Sequence, residues 1–187
     1  MATVHEHITD DLRAWIEAQH LFFVASAPLT GEGHVNVSPK GMDCLRVLDE
    51  HTVAYLDLTG SGNETSAHLI EAGNGRITLM WCAFDGSPRI LRLYGNGRVI
   101  LPDTPEWESL APKFTMLTGA RQIIVNEVSM VQTSCGFGVP FFDHVGDRDT
   151  LPKLWEQRGE EALKTYHQER NAVSVDGLPT PIGALYE

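Results

Sequence analysis

The sequence predicts a mainly β domain with flanking helices, and three observations support that prediction. Short runs rich in β-branched and aromatic residues recur between residues 21 and 133, separated by turn residues. Helical periodicity is confined to a segment after Thr9, a short insertion near Asn63, and two later segments at residues 104–110 and about 150–170. A parallel sheet would need a helix after nearly every strand, and the sequence does not supply one. Six or seven closely spaced strands therefore indicate a predominantly antiparallel β-barrel.

The first third of the chain predicts one helix and two hairpins. Thr9 is suited to cap a helix that carries Asp10 and Asp11 in its first turn. Two strands are then predicted at residues 21–27 and 34–38, joined by the turn PLTGEG. Two more are predicted at residues 45–48 and 52–58, because β-branched and aromatic residues alternate there.

The rest of the chain predicts three further strands and three helices. A short helix should begin near Asn63 and end at the Gly73-Asn74-Gly75 signal. The strands are expected at residues 76–84, 88–101 and 121–133, with Gly95 and Gly97 allowing the second to bend. The other helices are expected at residues 104–110 and about 150–170, followed by a loop from Ala172. We expect one domain over residues 1–187.

Composition limits the classes of function. A formal net charge of −11 argues against sequence-independent nucleic-acid binding, which depends on cations that neutralise phosphates. No apolar run approaches the roughly 18 residues of a membrane span, and the first residues are not signal-like. Cys44, Cys82 and Cys135 are odd in number and form no CxxC pair, so neither disulfides nor a thiolate zinc site is indicated. We expect a cytoplasmic protein without nucleic-acid or membrane partners.

One predicted strand end has a polar face. Since side chains alternate along a strand, Asn36, Ser38 and Lys40 share one side while Val37 points to the other. Pro39 cannot donate to a sheet ladder, so this strand end is expected at an edge or bulge. Amide, hydroxyl and ammonium groups suit a polar, partly anionic ligand. The alternative is a solvated outer face with a terminal lysine.

The segment DLTGSGNETSAHLI joins a predicted strand to the short helix and is unusually rich in small polar residues. Its glycines allow close backbone approach, and Thr59, Ser61 and Thr65 add hydroxyl groups. The segment has neither a Walker GK[ST] nor a βαβ-type GxGxxG pattern. It is therefore either a cradle for an anion or an ordinary connection in which Asn63 or Thr65 caps the helix.

The remaining polar residues are weaker indications of a functional site. Arg89 and Arg92 are three apart on a predicted strand, so only one faces a common pocket unless a bulge intervenes; surface salt bridges are the alternative. No histidine pattern indicates a metal site, and no GxSxG indicates a serine hydrolase. His34, His68 and His144 remain candidates for a haem ligand. The segment FGVPFF, residues 137–142, suits a pocket, a dimer contact or the core.

In this order, the stretches HVNVSPKG, YLDLTGSGNETSAHL, RITLMWCAF and PRILRLYGNGRVI resemble the pyridoxamine 5′-phosphate oxidase-related family of flavin-binding split barrels. The resemblance covers residues 21–101. It implies a six-stranded antiparallel split barrel and a homodimer with flavin mononucleotide (FMN) between the subunits. The resemblance supplies most of the candidate cofactor-binding residues, and we add Ser61 for its hydroxyl group and Arg89 and Arg92 for their positive charge. The full set is Asn36, Val37, Ser38, Lys40, Leu58, Thr59, Ser61, Asn63, Glu64, Thr65, Arg89 and Arg92.

The chain departs from the pattern of that family at the phosphate. Glu64 and Thr65 stand where the oxidases place arginine and lysine. A like-charge contact near 4 Å costs on the order of 4 kcal/mol at an effective dielectric constant of about 20. Lys40, Arg89 or Arg92 must compensate, or FMN is not the native ligand. The oxidases' arginine-and-histidine signature for pyridoxal phosphate is also missing, so vitamin B6 oxidation is not assigned.

The resemblance thus predicts an FMN-binding oxidoreductase of the pyridoxamine 5′-phosphate oxidase-like superfamily, in which the flavin carries hydride or electrons. The sequence identifies no catalytic acid or base, no substrate and no electron donor. Deazaflavin and haem are alternative cofactors. A non-catalytic haem-binding or haem-sequestering split-barrel protein is the alternative function, and a structural dimer with a degenerate pocket is a third.

Overall fold

Eight strands form one antiparallel sheet within residues 2–186, the part of the chain that the computed structural model describes. The strands are β1 (Thr3–His5), β2 (Phe22–Ser26), β3 (Asn36–Lys40), β4 (Leu45–Asp49), β5 (Thr52–Leu58), β6 (Arg76–Cys82), β7 (Ile90–Ile100) and β8 (Ala120–Ser134). Their spatial order is β3-β2-β6-β7-β8-β5-β4, and β1 pairs with the end of β8.

The predicted antiparallel split-barrel class is confirmed, but the count of six strands is wrong. All seven strands that the residue patterns indicate are present. The eighth, β1, has three residues, which are too few to show an alternating pattern, and backbone pairing with β8 stabilises it.

Helices flank the sheet. They are α1 (Asp10–Glu17), α2 (Glu64–Ile70), α3 (Pro105–Leu110), α4 (Thr150–Tyr166) and α5 (Pro181–Ala184). Thr9 caps α1 as predicted, since its hydroxyl accepts a hydrogen bond from the Leu12 amide. α4 is kinked at Gly159, which has a φ of 79°, and a π-helical turn, His167–Asn171, follows it. The predicted C-terminal loop contains α5, which Thr180 caps. Among the described residues, no helix combines the length and apolar character needed to cross a membrane.

The sheet curves at irregular pairings. Register shifts occur between Tyr94 and Gly95 on β7 and between Asp57 and Leu58 on β5. Gly95 is required at its bulge, because an added Cβ atom would lie 2.1 Å from the Asn126 side-chain oxygen. The concave face encloses fully buried apolar side chains that include Trp81, Tyr55, Leu79, Leu91 and Leu93. The register shift on β5 bends that strand at Asp57 and Leu58, where the candidate site begins.

Candidate functional site

A cavity of about 580 Å³ opens between β3, the end of β5 and the segment that leads into α2. We call residues 59–65 the glycine turn. Leu151, near the start of α4, and Val175, in the C-terminal segment, also line the cavity. Eight of the predicted cofactor-binding residues line it: Asn36, Ser38, Lys40, Leu58, Ser61, Asn63, Glu64 and Thr65.

The predicted polar face of β3 points into this cavity. Ser38 donates a hydrogen bond to the side-chain oxygen of Asn36 over 3.2 Å, and the Asn36 amide donates to the Thr65 hydroxyl over 3.1 Å. These bonds connect β3 to the first turn of α2. Val37 is 60% exposed on the opposite face, outside the cavity lining.

A buried carboxylate organises the floor of the cavity. Asp57 accepts from Lys40 Nζ at 2.5 Å on one oxygen, and from Arg121 Nε and Gln122 Nε2 at 2.8 Å each on the other. Burial alone would raise the pKa of Asp57, but the charges and hydrogen bonds of Arg121 and Lys40 outweigh it and hold the pKa well below the usual range. The carboxylate is therefore ionised throughout the neutral range.

Two donors at this floor lack a partner among the described residues. They are Nη1 of Arg121 and Nδ2 of Asn63, both buried, and both residues line the cavity. The Asn63 oxygen accepts from Gln122 Nε2 at 2.8 Å, which fixes the orientation of the amide. Buried donors are normally satisfied, and an unsatisfied charged donor is especially costly. The floor is thus suited to a ligand that presents acceptor oxygens.

Two backbone carbonyls of the glycine turn bond to the C-terminal part of the chain. The Thr59 carbonyl accepts from Trp155 Nε1, and the Gly60 carbonyl accepts from Asn171 Nδ2, both at 3.1 Å. The Thr59 hydroxyl shares a 2.7 Å hydrogen bond with His167, and Thr59 does not line the cavity. Burial, with the nearby Arg121 charge, lowers the pKa of His167 to about 4. The ring is therefore neutral at pH 7.

Donors of the turn, by contrast, remain available. Within the described part of the chain, the backbone amides of residues 60–63 have no protein acceptor. All four of these residues line the cavity. Glu64 also lines it, but both oxygens of its carboxylate accept from the Val175 amide, at 3.2 and 3.0 Å.

The two candidate arginines lie elsewhere. The Arg89 guanidinium stands 5.3 Å from the centre of the Trp15 ring, and Arg92 donates to the Ser134 hydroxyl over 3.3 Å. Neither lines the cavity. Neither forms a salt bridge with a described residue, so the structure supports neither the cofactor role nor the salt-bridge alternative.

The three histidines considered as haem ligands also lie outside the cavity lining. His34 pairs with Asp176, and His68 shares a hydrogen bond with Ser26. His144 stacks on His20. Among the described residues, no group of three metal-ligating side chains comes together.

The site contains residues that the sequence reasoning missed. Asp57 is the single charge in the mainly apolar strand TVAYLDL, and Arg121 and Gln122 directly precede the buried apolar run IIV of β8. An isolated charge in an apolar strand signals a buried partner, and this signal was available. The register that pairs Asp57 with Gln122 becomes visible only in the folded sheet.

Comparison with known proteins identifies the relatives of this chain. Residues 8–135 match the family model described as pyridoxamine 5′-phosphate oxidase. The curated pyridoxamine 5′-phosphate oxidase family protein ustO of Aspergillus flavus is 42% identical over an alignment of 198 positions, which covers 96% of this chain and 78% of that protein.

Solved structures share the fold at low identity. The H111A variant of HupZ from Group A Streptococcus has a TM-score of 0.52 at 19% identity, covering 68% of this chain and 99% of that one. A putative pyridoxamine 5′-phosphate oxidase from Lactobacillus delbrueckii has a TM-score of 0.51 at 16% identity, covering 68% and 94%. The FAD binding protein from Mycobacterium smegmatis has a TM-score of 0.50 at 12% identity, covering 71% and 97%.

The family match spans most of the barrel, and the identity to the Aspergillus protein extends through the C-terminal segment. The resemblance inferred from the sequence is thereby confirmed. This chain belongs to the pyridoxamine 5′-phosphate oxidase family.

Proposed function

We propose that the protein is an FMN-binding oxidoreductase whose cavity holds the phosphate end of the flavin against Arg121. One observation carries this proposal: a buried guanidinium nitrogen at the cavity floor lacks an acceptor among the described residues. Phosphate oxygens are the acceptors that guanidinium groups bind best. The FAD binding protein from M. smegmatis, which shares the fold, supports a flavin as the ligand.

The other cavity residues fit the same ligand. Asn63 Nδ2 and the free amides of residues 60–63 add donors beside Arg121. Leu56, Leu58 and Leu151 supply apolar contacts for a planar ring system. A volume of about 580 Å³ lies within the roughly 300–1,000 Å³ typical of small-molecule sites.

The cation that offsets Glu64 is none of the three that the sequence suggests. Of Lys40, Arg89 and Arg92, both arginines lie outside the cavity and Lys40 is paired with Asp57. We assign the compensating role to Arg121, whose Nη1 remains available while Nε is bonded to Asp57. The phosphate then contacts β8 as well as the glycine turn.

When bound, the flavin supplies the hydride or electron transfer, and the chain binds it, orients it and limits the access of water. Two titratable cavity residues are poor proton donors and acceptors at neutral pH. Asp57 is held ionised by its two cations, and burial raises the pKa of the Cys44 thiol to about 12. We assign no catalytic acid or base, and vitamin B6 oxidation is not part of the proposal.

We also propose a homodimer in which a second copy completes the crevice around the flavin. Val37, on the outer face of β3, and Val35, just before that strand, are 60% and 69% exposed, and Met130 on β8 is 37% exposed. Apolar groups on one sheet face are typical of a surface that another chain covers.

Free Cys44, Cys82 and Cys135 fit the reducing cytoplasm that we propose as the location. The haem alternative lacks comparable support, because its candidate ligands do not line the cavity.

The test compares FMN with riboflavin, which lacks the phosphate. The wild-type protein should take up FMN with a yellow spectrum and bind it at least about 100-fold more tightly than riboflavin, a difference of about 2.7 kcal/mol. In Arg121→Gln most of that preference should disappear, because the charged donor is lost. Arg92→Gln removes an arginine outside the cavity and should retain the preference.

Two results would contradict the proposal. One is a wild-type protein that stays colourless in tens of micromolar FMN; the other is an unchanged FMN-to-riboflavin ratio in Arg121→Gln. Mass spectrometry of the small molecule released by acid distinguishes FMN from a deazaflavin.

A further inference from the structure

We infer that Val175 and the turn that carries it hold the Glu64 carboxylate in place, so that this acidic residue can line an anion-binding cavity. The inference rests on the proposed function, because it concerns affinity for the same anionic ligand. Val175 lies outside residues 8–135, which match the family model. The element is therefore an addition to the barrel rather than part of it.

The contact joins residues distant in sequence. Both Glu64 oxygens accept from the one Val175 amide, 111 positions away. The carboxylate also folds back over the glycine turn, since a Cβ atom added at Gly62 would lie 3.1 Å from a Glu64 oxygen. Glu64 is therefore held by the Val175 amide, beside the glycine turn, while it lines the cavity wall.

A tight turn fixes the position of the Val175 amide. The Ser174 hydroxyl accepts from the Asp176 and Leu178 amides, at 3.2 and 3.1 Å, and the Ser174 amide donates to the Leu178 carbonyl at 2.8 Å. Asp176 bonds both the backbone amide and the ring of His34, at 2.8 and 2.6 Å, which anchors the turn to the barrel.

Deeper in the protein, Asn171 anchors the same segment to the glycine turn. It is fully buried and donates to the Gly60 carbonyl, while its own carbonyl accepts from the Thr180 hydroxyl at 2.6 Å. The glycine turn and the segment that carries Val175 are thus held together at two points.

The electrostatic consequence follows from this geometry. A free carboxylate beside a phosphate would weaken binding by like-charge repulsion. A fixed backbone N–H places a positive dipole end against the carboxylate and prevents its rotation toward the ligand. The C-terminal turn therefore reduces the penalty that Glu64 imposes, in addition to the compensation by Arg121.

The test removes one amide hydrogen. Val175→Pro deletes the donor, and Val175→Ala, which keeps it, measures the separate effect of the side chain. Relative to Val175→Ala, we expect Val175→Pro to bind FMN about tenfold more weakly, or about 1.4 kcal/mol. In a Glu64→Gln background the same comparison should give less than a threefold difference, because no carboxylate remains to be restrained. Ser174→Ala, which loosens the turn without proline, should reproduce part of the loss.

A flavin-free measurement separates this inference from the proposed function. Hydrogen exchange of the Ala67 amide, which donates to the Asn63 carbonyl at 3.1 Å across the first turn of α2, should be at least tenfold faster in Val175→Pro than in Val175→Ala. Equal exchange rates, or a loss of FMN affinity that persists unchanged with Glu64→Gln, would overturn the inference. If exchange is faster in Val175→Pro but the wild-type protein does not bind FMN, the proposed function is refuted and the restraint of Glu64 still stands.

Discussion

Replacing Asp57 by asparagine removes the negative charge that two cations share inside the protein. Arg121 and Asp57 have side chains only 4% exposed, whereas the Lys40 side chain is 21% exposed. Lys40 can turn toward water when its partner is lost, but Arg121 cannot. Each hydrogen bond to a charged group contributes about 1.5–3 kcal/mol, and breaking a buried pair costs about 3–5 kcal/mol. Since one cation escapes, we expect Asp57→Asn to lower the free energy of unfolding by about 3 kcal/mol at pH 7.

Urea denaturation of the flavin-free protein, followed by tryptophan fluorescence, measures this loss. Asp43→Asn is the matched control, because Asp43 pairs with Arg46 but its side chain is 71% exposed. Exposed pairs contribute at most about 1 kcal/mol. The reasoning is refuted if the two variants lose the same small amount.

The pH dependence gives the experiment a second readout. The pKa of Asp57 is lowered in the folded protein, so its contribution is fully present above the unfolded-state value near 4 and is lost as the pH falls below it. The stability difference between wild type and Asp57→Asn should therefore be constant from pH 5 to 7 and shrink toward pH 3.

Two further predictions concern the C-terminal packing. The pKa of His167 is about 4 in the folded protein against an ordinary 6.5. The stabilising effect of the neutral ring is therefore complete above pH 6.5 and is lost as the pH falls toward 4. The melting temperature should fall over that range, and it should fall less steeply in His167→Gln. Gly119 has a φ of 89° and an added Cβ would lie 2.3 Å from Trp155, so Gly119→Ala should cost about 3 kcal/mol in urea denaturation. Gly73→Ala, with a φ of 85° and no neighbour within 4 Å, should cost about 1 kcal/mol; equal costs would contradict the role of the Trp155 contact.

The features that the sequence predicted well are local. Alternation along β3 is a property of neighbouring residues, and it placed Asn36, Ser38 and Lys40 on one face, which lines the cavity. The same period located seven strands and both early hairpins. Thr9 identified the start of α1 because a cap acts within one helical turn.

The features that were missed depend on contacts distant in sequence. Arg121 reaches Asp57 across 64 positions, and the strand register that joins them cannot be read from either segment. The effect of Glu64 depends on an amide in a turn that shows no strand or helix periodicity. Charge alone makes Arg89 and Arg92 candidates, but packing sets the side of the sheet on which each of these cations lies.

The order of synthesis gives the C-terminal packing a further consequence. The ribosome makes the barrel strands before it makes Leu151 and Val175, which line the cavity, and Asn171, which anchors the glycine turn. Until these residues dock, the floor around Arg121 lacks that part of its wall. Under the proposed function, a flavin leaving the finished fold would have to displace these late-made residues rather than the barrel strands.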